Sequence, residues 1–432
     1  MNKYKEDHIS WIDIICINLY TLMSFQYFSY NVIPEIFARV SSQLAIAIML
    51  IYTLPTIIKH QVNPYIKIMK YIVLWTIISI FLALVFWGQG LFAGFRGTSV
   101  ALSLCFFFYL IKRNIPLGFL RKYVLCWSFI YIILWLYALS NAPEVIFSYA
   151  EETDDGFDVL SDARGIFRVN LVGLQLLILG WFICFDNSLK KKYRYIIPAV
   201  IIYLVIVMQL TRQIILWTAV VSIIYFFYYH RKMFLGFLVA IIIGIGTLPS
   251  IEIDDNGILG GLWTVTQMEL EENKGSGENI RITEYKVLFS EWAPNPIAYV
   301  LGSGYPHISS PYGKYEKRWK QQKKVYLGDV GYGKMMATLG IVGLVLFIIL
   351  FYKCSIAKID IASRYSKMYM IYLIPAHIGA AWYCSFDGQI AIAISVYTIM
   401  MGSRSCVRNK VVASTKIIAN NEIQCNNTSL QG

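Results

Sequence analysis

Residues Gly333–Phe351 read GKMMATLGIVGLVLFIILF, with one charged side chain, Lys334, at the start and none after it. A helix over this stretch is about 28 Å long at 1.5 Å per residue, close to a hydrocarbon core of about 30 Å. A run of that length without charge reads as a membrane span. Similar runs recur through the 432-residue chain, which is 57% hydrophobic and only 15% charged. A water-soluble domain carries about a quarter charged residues, so the composition excludes that class. The expected fold is an all-α polytopic membrane protein, a single membrane domain over residues 1–432. The N-terminal MNKYKEDH before the first apolar run resembles a signal peptide, but no small-residue cleavage site follows Ser24–Tyr30. The run is therefore expected to stay as the first span.

Twelve spans are expected, at 9–30, 36–58, 66–87, 94–111, 119–139, 166–185, 195–209, 213–229, 233–249, 334–352, 368–386 and 388–402. Their connections alternate in charge. One side collects 23 of the 38 basic residues and 6 of the 26 acids; the other collects 15 and 20. Lys and Arg accumulate on cytoplasmic loops, so the first side is expected to be cytoplasmic, with both termini inside. The formal net charge of +12 then belongs to topology, and nucleic acid is not an expected partner. The eight cysteines form no CxxC pair and lie in apolar or cytoplasmic segments, so neither disulfides nor a metal site is expected.

Two external loops exceed a turn: 140–165, which is acidic, and 250–333, the largest polar region; a tail at 403–432 is expected in the cytoplasm. The long loop contains YGKYEKRWKQQKK, Tyr312–Lys324, with six basic residues against Glu316. Long loops translocate largely regardless of charge, so topology does not explain this run. Tyr315, Trp319, Gln322 and Tyr326 recur at helical spacing through it. That pattern suits a helix lying on lipid, aromatics down and cations toward phosphate, or a simple solvated face. Earlier in the loop, RITEYKVLFSEW places Ile282, Tyr285, Leu288, Phe289 and Trp292 on one helical stripe, with Arg281 and Glu284 off it at i and i+3. The segment GDVGYGKM, Gly328–Met335, has P-loop spacing, but Met335 replaces the Ser or Thr that would bind Mg²⁺. It reads as a glycine-rich entry into a span, with Asp329 at its mouth as a base or a helix cap.

Arginines cluster at the outer ends of spans: Arg164 and Arg168 in DARGIFRVN, Arg212 in QLTRQIIL, Arg96 in GFRGTS. Arginine at membrane depth is costly and normally faces a partner or cavity. Snorkelling accounts for Arg96. Guanidiniums converging on one external cavity suit a multiply charged anion such as a diphosphate.

The chain resembles the Wzy-type O-antigen polymerases within the O-antigen ligase/polymerase group. The likeness rests on LTRQIIL around Arg212, on RITEYKVLFSEWAPNPIAYVLGSGY from Arg281, and on GDVGYGKMMATLGIVGLVLFI from Gly328. Members often carry His-Asn before that last span; here Asp329 stands there, and the nearest histidine is His307. The resemblance implies a GT-C-like, cofactor-free glycosyltransferase of the bacterial inner membrane, joining undecaprenyl-diphosphate-linked glycans at the periplasmic face. It also implies membrane lipid and a chain-length regulator protein as partners. Arg212, Arg281, Arg168, Arg164 and Arg318 are then expected to hold diphosphate, with Asp329 or His307 as base. A ligase moving glycan to lipid A–core, or a non-enzymatic flippase, is the alternative.

Overall fold

A computed structural model describes residues 9–28, 35–142, 144, 146–147, 160–163, 166–209, 211–229 and 280–406. The helices are α1 (Trp11–Phe25), α2 (Glu35–Ile58), α3 (Pro64–Trp87), α4 (Leu91–Leu102), α5 (Phe106–Arg113), α6 (Leu117–Ser140), α7 (Leu174–Leu189), α8 (Ile196–Met208) and α9 (Arg212–Tyr229). Beyond them lie α10 (Ile280–Ser290), α11 (Pro296–Leu301), α12 (Pro311–Lys323), α13 (Gly331–Ile356), α14 (Arg364–Ala376) and α15 over 386–406. An antiparallel hairpin, β1 (Leu160–Ala163) and β2 (Ile166–Val169), precedes α7.

Among the described residues, six helices are long and apolar enough to cross a membrane, including α3, α6, α9 and α13, with shorter apolar helices beside them. The architecture is the all-α polytopic one expected. Large apolar side chains stand exposed at helical spacing, such as Leu44, Ile48 and Ile51 on α2 or Ile197, Ile201 and Leu204 on α8. In a soluble protein such stripes would invite association; here they are the lipid-facing surface. The interior is filled by α15, in which every residue from 390 to 400 is buried. Asp387 at its N-terminal end accepts from the backbone N–H of Gly173 at 3.1 Å and of Gln175 at 2.8 Å, so it caps α7.

Two expected boundaries move. The run at 166–185 begins as strand β2, and its helix starts only at Leu174. The run at 368–386 stops helically at Ala376, directly after Pro375, and residues 377–385 form an outer turn closed by a 3-10 segment at Trp382–Cys384. Proline inside a helix removes a backbone bond and favours such an ending. The expected span at 233–249 lies outside the described residues.

The decisive irregularity is in α13. Gly340 has φ 68° and ψ −172°, which breaks the span. A break within lipid leaves carbonyls that need other donors. Ser303 N–H donates to the Ala337 carbonyl at 3.1 Å, Gly304 N–H to Thr338 at 2.9 Å, and Trp75 Nε1–H to Leu339 at 2.8 Å. Thus the LGSGY loop at 301–305 threads into the broken span. The approach is backbone against backbone: a Cβ at Gly302, where φ is 91°, would meet the Thr338 carbonyl oxygen at 2.4 Å. Gly302→Ala is expected to destabilise the protein by at least about 2 kcal/mol, from left-handed strain plus the clash. The check is a lower thermal midpoint and reduced full-length protein in membranes.

Candidate functional site

Residues 280–330 fold on the C-terminal end of α3 and the N-terminal end of α13 around their own aromatic core. Trp87 stacks on Tyr312 at 4.6 Å and meets Tyr315 at 4.5 Å, while Trp292 lies 5.4 Å from Tyr315 and 6.3 Å from Trp319. Trp292 Nε1–H donates to the Tyr312 hydroxyl at 3.1 Å, and the Tyr315 hydroxyl donates to the Trp292 carbonyl at 3.1 Å. The aromatics of the basic run therefore pack into the protein, and lipid is not what they rest on. The reason is supply: Trp87 and Trp292 offer ring faces at the right height, and aromatic pairs gain beyond their buried area. The cations line the other side of α12. Arg318 is exposed over the Tyr315 ring at 5.7 Å, and Lys323 pairs with Glu291 at 2.9 Å.

Helix α10 also turns away from its expected face. Ile282 and Phe289 are 64% and 43% exposed, whereas Glu284, Val287, Leu288 and Trp292 are buried. Leu288 and Trp292 from the expected stripe are inside; the rest of the buried face is shifted round the helix. That rotation carries Glu284 into the interior, where it is 1% exposed. Its Oε1 accepts from the Tyr326 N–H at 3.0 Å, and Oε2 receives no hydrogen bond from the described residues. Burial pushes this carboxyl up to about 7; the Tyr326 N–H and the Arg281 guanidinium pull it down, and the Asp329 charge pushes it further up.

This buried acid sits in a ring of residues at the N-terminal end of α13. Asp329 is exposed in the turn that leads into α13, where Val330 is the cap residue and makes no side-chain cap bond. Arg281 is exposed on the first turn of α10. The turn at 377–381 closes the far side. The Tyr285 hydroxyl donates to the Ile378 carbonyl at 2.8 Å, Tyr332 N–H to His377 at 3.2 Å, and Ala381 N–H to Gly328 at 3.0 Å. Gln213, beside the half-buried Arg212, packs its amide on Gly379 of that turn. Arg281, Glu284 and Asp329 are thus brought together, and Arg212 stands across the 377–381 turn from them.

The other expected site residues fall elsewhere. His307 is buried beneath the loop; its N–H donates to Gln89 Oε1 at 3.1 Å and its Nδ1 lies 2.8 Å from the Ser309 hydroxyl. Arg168 lies in β2, paired in register with Ser161, and Arg164 lies outside the described residues. Glu284 was named in the sequence only as a residue off the apolar stripe; its spacing to Arg281 was the available signal.

Chemically, two neighbouring carboxyls in unlike surroundings are a means of separating acid and base roles, and an exposed guanidinium beside them is a donor to a planar anion. The sign of the Glu284 effect on stability follows from its raised value. From about pH 4.5 to about 7 an unfolded chain releases a proton that the folded protein keeps, so stability falls across that window. The loss is on the order of 3 kcal/mol at most. Glu284→Gln is expected to raise the thermal midpoint at pH 8 and leave it nearly unchanged at pH 4, read by scanning fluorimetry in detergent.

Residues 197–348, which include Arg212, Arg281, Glu284 and Asp329, match a family model described as O-antigen ligase. No curated protein matches the chain. The match covers about a third of the chain, the part that carries Arg281, Glu284 and Asp329, and the long apolar helices make the chain a multi-pass membrane protein.

Proposed function

We propose that the protein is a membrane-embedded glycosyltransferase that polymerises undecaprenyl-diphosphate-linked oligosaccharide repeat units at the periplasmic face of the inner membrane. The observation that carries this reading is the grouping of Arg281 with the carboxyls of Glu284 and Asp329 at the outer end of α13. In this reaction the acceptor hydroxyl oxygen bonds to the anomeric carbon as the bond to the diphosphate oxygen breaks. The hydroxyl proton passes to the exposed Asp329 carboxylate, and the diphosphate leaves as an anion. Arg281 and Arg212 hold that anion as its charge develops, which is the larger part of the barrier lowering. Arg168, Arg164 and Arg318 serve as additional contacts to the charged substrates, and the basic face of α12 as a positive cover over them. Glu284 is a positioning residue: ionised, it raises the basicity of Asp329 by like charge. No metal is required, because guanidiniums supply the charge that a cation otherwise would.

The description of the matched model favours a second reading, a ligase that moves finished glycan to lipid A–core. Deleting the gene in its source strain separates the two. Loss of the proposed polymerase leaves surface lipid capped with single repeats. Loss of a ligase leaves lipid with no repeats at all, and that result would replace the polymerase reading. A flippase would be expected to carry charge in mid-span, and the described spans carry their charged side chains near their ends instead.

A further inference from the structure

A groove of about 630 Å³ opens between α1, α2 and α5, far from the external loop. Its walls are apolar over most of their length, with Leu19 and Met23 of α1 facing Leu44 and Ile48 of α2. Its α2 wall runs from Tyr52 to Phe37, about 22 Å of helix against a hydrocarbon core of about 30 Å. One end only is charged, and it is built. Asp13, 5% exposed, accepts from the Tyr109 hydroxyl at 2.9 Å and from Arg113 through Nε at 2.6 Å and Nη2 at 2.9 Å. This fixes the guanidinium while its third nitrogen, Nη1, has no bond to any described residue. Lys112 stands beside it, 3.6 Å over the Tyr52 ring and donating to the Tyr52 carbonyl at 2.8 Å. Trp87 and Gln89, at the opposite end of these spans, touch the external loop. The polar mouth therefore faces the side that collects most of the basic residues.

We propose that this groove is a phospholipid site: one acyl chain of a cytoplasmic-leaflet lipid fills it, and an anionic headgroup is held by Arg113 Nη1 and Lys112. Guanidinium and ammonium paired at one mouth suit a phosphodiester, and Asp13 pre-orients the fork without neutralising both cations. The apolar length suits a single acyl chain lying along the spans. The site is independent of the proposed reaction, and its test reads bound lipid, not product.

The full-length protein is purified in detergent, offered equal phosphatidylglycerol and phosphatidylcholine, and weighed intact by native mass spectrometry. One retained lipid is expected, with phosphatidylglycerol preferred about fivefold. Arg113→Lys keeps a partner for Asp13 and is expected to bring the preference to about even. Ala45→Phe fills the groove from its α2 wall and is expected to abolish retention. Gel filtration of each variant establishes that it is folded; Arg113→Lys carries the test where Ala45→Phe does not fold. Equal retention of both lipids by the unaltered protein, an unchanged preference in Arg113→Lys, or undisturbed retention in folded Ala45→Phe would each overturn the site. So would displacement of phosphatidylglycerol by an equal concentration of undecaprenyl phosphate, which would assign the groove to an isoprenoid chain.

Discussion

Asparagine at position 329 is expected to lower polymer formation by at least about 100-fold, the lower range of general-base contributions. The substitution keeps size and polarity and removes the carboxylate proposed to take the acceptor proton. Asp329 is exposed, and the helix that follows is not capped by its side chain. The measurement is incorporation of labelled repeat units into polymer in membranes carrying equal amounts of each variant. Asp329→Glu is expected to restore part of the rate, since a carboxylate remains within reach. The coupled acid gives a second signature. Glu284 is raised to about 7, so on this proposal the rate of the unaltered protein is expected to rise through that pH as the carboxylate charge beside Asp329 develops. Glu284→Gln is expected to flatten the profile between pH 6 and 8, holding the rate near the unaltered protein's level at pH 6. A wild-type profile in Glu284→Gln would remove the coupling, and a wild-type rate in Asp329→Asn would remove the base.

Alanine at position 281 is expected to cost about 10²- to 10³-fold, the range for loss of one donor that stabilises developing charge. The effect should fall mainly on kcat, because the diphosphate gains charge as it leaves. Arg281→Lys is expected to recover only part of it, since lysine offers a point charge in place of a planar fork. Arg212→Ala tests whether the arginine across the 377–381 turn acts on the same anion. If it does, the double variant loses less than the product of the single losses, as for residues that work as a unit. Arg318→Ala, on the outward face of α12, is expected to stay within a few-fold and to alter the demand for substrate more than the maximal rate. Full activity in Arg281→Ala would end the assignment of the diphosphate to this part of the molecule.

The spans were legible because lipid imposes a coarse rule: about twenty apolar residues without charge. Leu117–Ser140 and Pro64–Trp87 obey it and match their expected limits closely. The rule says nothing of interruptions inside an apolar run. Gly340 reads as a small residue in a glycine-spaced helix, and the residues that complete its broken bonds, Trp75, Ser303 and Gly304, are distant in the chain. Residues 377–385 look like more span because they are mostly apolar, and only Pro375 warned of the ending. Around the site, the acid and arginine at i and i+3 were visible but their orientation was not. Helix α10 carries apolar residues on more than one side, Ile282 and Phe289 against Val287 and Leu288. Periodicity alone cannot say which side meets α13. The grouping of Glu284 with Asp329 also needed the turn at Tyr326, a contact across 42 positions.

The stitched break in α13 bears on modularity. By sequence the region from 280 to 330 looks like a polar insert that could be cut out and handled as a water-soluble unit. Its middle, at 302–304, is instead the completing donor for a membrane helix, and Gln89 from the turn after α3 holds His307 and Ser310 in place. Excising it would leave Ala337 and Thr338 with bare carbonyls in the bundle and the insert without its floor. Insert and bundle are one cooperative unit, so chimeras that exchange this loop between relatives must carry the outer half of α13 with it.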